Sequence, residues 1–483
     1  MLGKHVIGYI PASIIPALMS FGAVYGYTRL LDPEAYGHYA LALNIMTLLG
    51  ALFFTWLQTA LSRLMPQAAR EGTAAQLRAT AYAAFAGMGG LMLLLGALMI
   101  AFAPLGDLTQ TAWLALPLAL ARGLLSVNQA FHRSALNFKR YNIIECGQAV
   151  LGFAAGLTLV IWFRLGQPGA TAGLIIGMAL MALGDWRALA GIQWRDLSLA
   201  SLRALGRFGL PLTLGYGFAF ITSASDRFVI EHIHGAAQVG IYAAGYALID
   251  RLMMIIFMIV ALPSFPLTVH RLEHNGIEAA RTQTYRNGAA LLLLAMPACA
   301  GLMLISPQLA AVLIGAPFRE GALPVMPWIA GASMLGGLAT HYFDHAFHLG
   351  KQPQWLLLTQ GLTACVNLGL NLTLIPRYGI MGAAYATLAA YAVSLLFSIM
   401  IGRRVFPVRF PVKPALQTAA AVAAMAAVLS LIDFTHDWAG LIAKTSLGGG
   451  VYAAGILAMN VAGMRERFGM RLLQLRRDMA RSD

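Results

Sequence analysis

Apolar stretches long enough to cross a lipid bilayer recur along the whole chain and are separated by short polar connections. A transmembrane helix needs about 20 apolar residues to cross about 30 Å of hydrocarbon. The pattern predicts fourteen such spans. They lie at residues 6–31, 37–61, 79–103, 111–131, 143–163, 169–186, 208–230, 241–263, 287–307, 325–348, 354–375, 379–401, 415–432 and 442–462. The first span is too long, and too lightly charged at its start, for a cleaved signal peptide, so we expect it in the mature protein.

Composition agrees with this pattern. Hydrophobic residues make up 59% of the chain and charged residues only 11%, whereas soluble domains carry about 25% charged residues. The connections are short, so no separate soluble domain is expected. The chain is therefore an all-α polytopic membrane protein. Its net charge of +14 bears on membrane topology rather than on nucleic acid.

The basic residues predict the orientation of the spans. If the N-terminus is cytoplasmic, the cytoplasmic segments hold 25 of the 33 Lys and Arg residues, and the opposite connections hold only Arg164, Arg319 and Arg377. Such a bias across alternating short connections marks the cytoplasmic side. Both termini are therefore expected in the cytoplasm. The tail, residues 464–483, reads as a basic amphipathic helix that either anchors on anionic lipid or docks a partner.

An internal repeat predicts two lobes. The motif Gly-x-Tyr-Ala begins the second helix of two helical pairs that are 203 residues, or six spans, apart. Its residues are Gly37, Tyr39 and Ala40 in the first copy, and Gly240, Tyr242 and Ala243 in the second. Six is even, so the halves keep one orientation, with a substrate site near the midplane. The predicted division is an N-terminal six-helix lobe (1–190), a C-terminal six-helix lobe (191–402), two appended transmembrane helices (403–463) and the basic cytoplasmic tail (464–483).

Three segments resemble one protein family. They are the turn TRLLDPEAYGHYALA, the pair Asp226-Arg227 followed shortly by VGIYAAGYAL, and the run NLGLNLTLIPRYGIMGAAYATLAAYAVSLL at 367–396. These segments resemble the bacterial Wzx-type polysaccharide flippases. Those flippases form the polysaccharide-transporter branch of the MOP superfamily, which includes MATE drug exporters and the lipid II flippase. The resemblance implies two parallel six-helix lobes around a central cavity.

The resemblance also implies a function and a set of partners. The expected activity is flipping of an undecaprenyl-pyrophosphate-linked oligosaccharide from the cytoplasmic to the periplasmic leaflet of the bacterial inner membrane, by alternating access. The product would be a lipopolysaccharide O-antigen, a capsule or an exopolysaccharide. Expected partners are the lipid-linked oligosaccharide, membrane lipids, a polysaccharide polymerase and a chain-length regulator, with no nucleic acid.

Several polar residues inside the spans are candidates to hold this cargo. Ionisable groups in a bilayer face a cavity or a partner by default. An arginine stays charged and can hold phosphate oxygens in a bidentate fork. The predicted substrate-cavity residues are Arg29, Arg122, Gln129, Arg227, Arg251 and Asn367. Arg122 is the strongest candidate, with a salt bridge to an intramembrane acid as the alternative. Snorkelling to the interface explains Arg29 equally well.

Acids and histidines in the spans are candidates for ion coupling. The predicted residues are Asp226, Asp250, Asp344, His341 and His345. Asp226 and Arg227 are adjacent, so their side chains leave the helix about 100° apart and are expected not to pair with each other. The alternatives are interhelical bridges, Asp226–Arg251 or Arg227–Asp250, or an aspartate that binds a proton or sodium ion. The segment HYFDHAFH, which holds His341 to His348, is expected on one helical face, as a proton relay, a sugar-binding surface or a polar seam.

Two other functions stay open. A MATE-like cation-coupled exporter of small molecules would favour an acidic, aromatic cavity, which the arginines within the spans do not favour. A membrane polysaccharide polymerase or ligase would need a larger outer loop than this chain has. No Walker A pattern is present, and the three cysteines are far apart in apolar stretches. We therefore expect a transporter with no catalytic residues, no cofactor and no metal site.

Overall fold

A computed structural model describes residues 8, 10–185 and 193–466, and the regular elements of these residues are all helical. Residues 467–483 of the predicted basic tail and the predicted lobe boundary at 190/191 lie outside the described residues. The helices are α1 (Ile10–Leu30), α2 (Pro33–Phe53), α3 (Thr55–Arg70), α4 (Ala74–Phe102), α5 (Leu108–Ser134), α6 (Phe138–Ile161), α7 (Gly166–Gly184), α8 (Leu199–His234), α9 (236–275), α10 (277–313), α11 (Ala316–Leu338), α12 (His345–Leu349), α13 (Gln354–Tyr378), α14 (Ile380–Val405), α15 (Val412–Ser430) and α16 (Trp438–Ala458).

The helices account for fourteen membrane spans. Twelve helical stretches in the described part of the chain are long and apolar enough to cross a bilayer, and Ala236–Leu313 counts once among them. That stretch has 78 residues, which is enough for two spans. Helix α1 adds a further segment of 21 residues, or about 31 Å at 1.5 Å per residue. The predicted all-α membrane fold with about fourteen helices is confirmed.

The stretch Ala236–Leu313 reverses direction at Gly276. This glycine has φ 80° and ψ −176°, outside the helical region. The side-chain nitrogen of Asn287 donates to the carbonyl oxygen of Ser264 at 3.1 Å and to the hydroxyl of Thr268 at 2.9 Å. In a straight helix, residues 264 and 287 would lie about 34 Å apart. Helices α9 and α10 are therefore an antiparallel pair, and glycine tolerates the positive φ at their turn.

The second predicted span, residues 37–61, is interrupted at Phe54. The backbone there leaves the helical region, with φ −126°, and divides the segment into α2 and α3. The Thr55 hydroxyl donates to the carbonyl of Gly50 at 3.0 Å, and the Trp56 indole N–H donates to the carbonyl of Phe53 at 2.9 Å. The Gly50 carbonyl also accepts from the Phe54 N–H at 3.0 Å, so the Thr55 bond adds to one already made, whereas the Trp56 indole supplies a side-chain donor to Phe53 at the break. Thr59 then meets the Tyr216 hydroxyl of α8 at 2.9 Å.

Contacts group the chain into two compact units. The first comprises the described residues of Met1–Ala244 with Gly315–Phe318 and Asn367–Ala383, and the second comprises the described residues of Gly245–Ile314, Arg319–Val366 and Ala384–Asp483. The predicted lobes at 1–190 and 191–402 stay a prediction.

Glycines bring α6 and α7 together in the first unit. A Cβ atom on Gly173 would lie 2.2 Å from the backbone nitrogen of Gly156, and one on Gly177 would lie 2.4 Å from that of Gly152. Small residues at four-residue spacing let membrane helices approach to backbone contact. The fully buried Tyr27 of α1 fills the adjacent space, with its hydroxyl where a Cβ of Gly156 would be.

The second of the two appended helices, α16, packs on α10 in the second unit. The Lys444 ammonium of α16 donates to the carbonyl of Leu304 at 2.7 Å and lies 3.3 Å from the Gln308 side-chain oxygen. The Tyr452 hydroxyl donates to the carbonyl of Leu293 at 2.6 Å. Asp437 caps the start of α16 by accepting from the Gly440 N–H at 2.7 Å, and the hydrogen bonds from Gly440 and Thr435 lower the pKa of this carboxyl group.

Candidate functional site

Arg122 of α5 lies beside a carboxylate of α6. Its Nη1 atom is 3.8 Å from Oε2 of Glu145, and the side chains are 35% and 15% exposed. The Gln129 amide donates a short hydrogen bond to the same carboxylate oxygen, and Gln129 is itself buried. Two predicted cavity residues, Arg122 and Gln129, are therefore brought together through Glu145.

The exposed parts of Arg122 and Glu145 face away from the apolar surfaces of their helices. On α5, Trp113 is 49% exposed, and Arg122 follows it by nine residues, half a revolution further around the helix. On α6, Ile143 is 56% exposed, and Glu145 lies about 200° further around. Charged groups in lipid-buried segments face a wet space or a partner. These two side chains meet that requirement by pairing with each other, on the sides of their helices away from Trp113 and Ile143.

Asp226 and Arg227 pair with each other, so the expectation that neighbours on one helix do not pair is wrong. Nη1 of Arg227 lies 3.1 Å from Oδ1 of Asp226 and donates to the carbonyl of Ser223 at 2.7 Å. The 100° rule describes where side chains leave the helix, but the long arginine side chain curls back. The Tyr242 hydroxyl donates to Oδ2 of Asp226 at 2.6 Å. Both carboxylate oxygens of Asp226 are thus occupied.

The two copies of the repeat touch each other inside the first unit. A Cβ on Gly37 would lie 1.8 Å from the carbonyl oxygen of Ala236, and one on Gly240 would lie 2.0 Å from that of Pro33. Both glycines, and both carbonyl residues, are 203 positions apart. Such reciprocity is the pattern of a local two-fold axis. We call residues Pro33–Gly37 and Ala236–Gly240 the glycine junction.

Asn367 lies in a buried polar row on α13. Its Oδ1 atom accepts from the Asn371 amide at 3.0 Å and lies 3.4 Å from the Ser225 hydroxyl, next to Asp226. Both asparagines are fully buried. Asn367 Nδ2 and Asn371 Oδ1 have no hydrogen-bond partner among the described residues, so this row has spare polar capacity.

Arg29, at the end of α1, makes local contacts. Its Nη1 atom donates to the carbonyl of Tyr25 at 2.8 Å, and the guanidinium lies 3.8 Å from the centre of the Tyr25 ring. The side chain is exposed. This geometry fits a snorkelling arginine with a cation–π contact.

In the second unit, Asp250 of α9 accepts from the Ser333 hydroxyl of α11 at 3.0 Å. Arg251 follows Asp250 and is partly exposed. The interhelical bridges weighed from the sequence, Asp226–Arg251 and Arg227–Asp250, stay predictions.

The HYFDHAFH segment contains a π-helical turn, Ala339–Phe343. Buried Asp344 accepts from the Ser398 hydroxyl of α14 at 2.6 Å. The His341 ring stacks on Phe257, 5.5 Å between centres, and His345 meets Phe265 at 5.0 Å, both on α9. The predicted cluster is therefore divided: Asp344 contacts α14, whereas His341 and His345 contact α9. Wide turns of this kind often occur at functional sites.

The structure contains a buried charge network, at the ends of α5, α6 and α7, that the sequence analysis did not predict. Asp185 is 2% exposed and accepts from His132 Nε2 at 2.6 Å and from Arg140 Nε at 2.9 Å. Asp185 is visible in the sequence as an acid at the end of an apolar span. Its partners lie in the connection between spans 4 and 5, where basic residues are read as topology signals.

A polar pocket of about 330 Å³ lies where α2, α5 and α7 begin. Its charged and polar lining includes Asp32, Glu34, His38, Asp107, Thr111 and Arg164. The His38 ring nitrogen and the Thr111 hydroxyl are 3.0 Å apart. Three carboxylates against one arginine make this pocket unfavourable for a diphosphate. Among the described residues, no group of three or more His, Cys, Asp or Glu side chains is arranged to hold a metal ion.

Solved structures show which class of protein this fold defines. The chain is similar to the lipid II flippase MurJ in an inward closed conformation, with a TM-score of 0.75 and 14% identity over 94% of this chain and 99% of that one. It is similar to an inward-facing multidrug resistance MATE family transporter, with a TM-score of 0.66 and 15% identity over 81% and 95% of the two chains. A MOP superfamily transporter from Pyrococcus furiosus matches at a TM-score of 0.57 and 15% identity over 82% and 96%. The fold is that of the MOP superfamily transporters.

The family follows from the sequence match. Residues 2–270, more than half of the chain, match the family described as polysaccharide biosynthesis protein. The chain belongs to this family, and the resemblance noted from its motifs is confirmed. No curated protein matches the sequence.

Proposed function

We propose that this protein is a flippase that moves an undecaprenyl-pyrophosphate-linked oligosaccharide from the cytoplasmic to the periplasmic leaflet by alternating access. The family supports a role in polysaccharide biosynthesis, and the fold supports transport. The observation that carries the cargo assignment is the Arg122 guanidinium, which is 35% exposed within an apolar helix and lies on the opposite side of that helix from the exposed Trp113.

The cargo explains why a positive charge stands there. A lipid-linked sugar can leave its polyprenyl chain in the hydrocarbon, but its pyrophosphate must cross a low-dielectric region. A fixed guanidinium offsets part of that desolvation and offers several donors in one plane. Arg227 is already engaged by Asp226 and Ser223, so we assign the first diphosphate contact to Arg122. The carried glycan is a precursor of a lipopolysaccharide, capsule or exopolysaccharide.

Ion coupling is assigned to Asp344 ahead of the other candidates. Asp226 has both oxygens occupied by Arg227 and Tyr242. Asp344 is buried and is held through one oxygen by the neutral Ser398 hydroxyl. A buried carboxylate without a positive partner is suited to bind and release a cation. His341 and His345 lie on the same stretch and extend this proposed path.

The alternative is a MATE-like exporter of small molecules, which the structural likeness to MATE transporters favours. Cationic drugs would meet the positive charge of Arg122, so we rank this second. A polymerase or ligase ranks below it. We place the protein in the bacterial inner membrane with both termini cytoplasmic, and we keep the polymerase and chain-length regulator as proposed partners.

The test measures lipid-linked glycan in each leaflet of cells that lack this gene. We expect accumulation in the inner leaflet that is reversed by the wild-type chain but not by Arg122→Ala at equal protein level. Arg122→Lys keeps the charge and loses the fork, so we expect partial rescue. An unchanged leaflet distribution together with raised drug sensitivity would overturn the proposal in favour of the exporter. An altered polymer length would favour the enzyme.

A further inference from the structure

Glu145 is an intramembrane carboxylate that the transport proposal leaves unused. It lies on α6, two turns from the start of the helix, and is 15% exposed. An acid beside the arginine that is meant to receive a diphosphate is unexpected, because it repels the cargo. Its contacts give a reason for its presence.

Its two partners hold it in different ways. Gln129 is almost fully buried and donates directly to Glu145, so it fixes the carboxylate in place. Arg122 stands 3.8 Å away, whereas a charge-assisted hydrogen bond has a length of about 2.7–2.9 Å. The arginine is thus attracted to the carboxylate without being hydrogen-bonded to it. In the described part of the chain, the Arg122 guanidinium donates no hydrogen bond, so its fork is available.

We propose that Glu145 is a resident anion that neutralises Arg122 in the empty transporter and that a diphosphate must displace. This inference rests on the proposed function. An unpaired guanidinium within the membrane would be costly, and Glu145 removes that penalty while the site is empty. When Arg122 turns to the cargo, the Gln129 amide still satisfies the carboxylate.

The arrangement sets a threshold for selectivity. Glu145 carries one negative charge at 3.8 Å, so a neutral or singly charged headgroup gains little by replacing it. A diphosphate brings more charge and can accept two parallel bonds from the guanidinium. Glu145 therefore sets the affinity that a headgroup must exceed to bind Arg122, a level that weakly bound membrane lipids do not reach, and it is not itself a contact of the cargo.

The test measures binding of inorganic pyrophosphate and inorganic phosphate to the full-length protein in detergent, by titration calorimetry. Glu145→Gln keeps the shape and an acceptor for Gln129, and removes the competing charge. We expect pyrophosphate to bind about two- to fivefold tighter, as loss of a partly exposed ion pair implies. We also expect phosphate to gain by a similar factor, because each ligand must displace the same carboxylate from Arg122. Glu278→Gln removes an exposed carboxylate elsewhere and should leave both affinities unchanged.

Further variants separate the inference from the proposed function. Arg122→Ala should lose most pyrophosphate binding, and Glu145→Gln added to it should change nothing more. Pyrophosphate binding by Arg122→Ala at wild-type affinity would overturn the proposed site of transport. If Arg122→Ala loses pyrophosphate binding while Glu145→Gln binds pyrophosphate no tighter than wild type does, only the role of Glu145 is overturned. If Glu145→Gln does not fold, Glu145→Asp withdraws the charge by one methylene and must bind pyrophosphate tighter than wild type, or the inference fails.

Discussion

Asp185 is a nearly fully buried carboxylate with two charged partners, and it supports a prediction about stability. It joins α5, α6 and α7 by accepting from His132 at 2.6 Å and Arg140 at 2.9 Å while nearly fully buried. Asp185→Asn keeps the shape but removes the charge that both partners need. We expect a loss of about 2 kcal/mol, the scale of a hydrogen bond to a charged group, measured by thermal unfolding in detergent.

The control for Asp185 is a carboxylate with the same kinds of partners in an exposed setting. Glu278 is 59% exposed and pairs with Arg281 and Arg409. Exposed pairs contribute little because water screens them, so Glu278→Gln should unfold at nearly the wild-type temperature. Equal effects of the two substitutions would contradict the structural role assigned to Asp185.

Asp344 supports a prediction about coupling. Asp344→Asn retains a side-chain oxygen for Ser398 but cannot bind and release a cation. We expect protein in liposomes to lose its response to an imposed proton or sodium gradient while it keeps slow, ungated exchange of cargo. Ser398→Ala removes the hydrogen bond and keeps the carboxylate, so the gradient response should persist. Gradient-driven transport by Asp344→Asn at the wild-type rate would refute the assignment.

For individual residues, the sequence predicts which charged side chains lie within the spans, but it does not predict which residues they contact. Arg122, Asp226 and Asp344 stand out because charges are rare in apolar spans. Their partners depend on how an individual side chain bends, as in the Asp226–Arg227 pair. The pairing of Asp185 with His132 and Arg140 joins residues about 50 positions apart, which a single sequence does not reveal.

At the scale of helices, the glycine junction is a contact that leaves no room for a side chain. A Cβ on Gly240 would lie 2.0 Å from a backbone carbonyl, and backbone cannot rotate aside as a flexible side chain can. Gly240→Ala should therefore separate α2 from α9, at a penalty of about 1–3 kcal/mol for overpacking. If the cycle requires this contact, transport in liposomes should fall by about tenfold.

Gly90 provides the matched control for that substitution. It lies within α4, and a Cβ there would meet nothing within 4 Å. Gly90→Ala should be neutral or slightly stabilising, because alanine favours helices by up to about 1 kcal/mol relative to glycine. Transport and unfolding temperature unchanged in Gly240→Ala would show that the junction is dispensable.

Helix positions were predictable because one physical requirement, covering about 30 Å of hydrocarbon, dominates the pattern. The interruptions were not. The break at Phe54 is accompanied by side-chain hydrogen bonds from the hydroxyl of Thr55 and the indole of Trp56 to nearby carbonyls. The π turn before Asp344 shifts the phase of the histidines. Neither feature changes the hydropathy of the segment, so a search for apolar stretches in the sequence does not detect either of them.

For the whole molecule, the repeat and the charge bias are the informative signals. The 203-residue offset identified from four-residue motifs recurs as a reciprocal contact between Gly37 and Gly240. An even count of fourteen spans predicts that both ends of the chain lie on one side of the membrane. The six-helix lobes and the direction of insertion stay predictions, because the contacts of the described residues do not locate a membrane or its two faces.

The direction of insertion is testable by labelling single cysteines in spheroplasts with a membrane-impermeant maleimide. The background lacks Cys146, Cys299 and Cys365. Exposed Thr109 starts α5 and exposed His436 precedes α16, in connections poor in basic residues, whereas exposed Glu273 lies near the Gly276 turn beside Arg271. Because positive residues are retained in the cytoplasm, Thr109→Cys and His436→Cys should be labelled at once, and Glu273→Cys only after permeabilisation.

The reverse pattern would invert the orientation and the proposed direction of transport. Immediate labelling at all three sites would contradict the span count, since an odd number of crossings separates Glu273 from each of the other two.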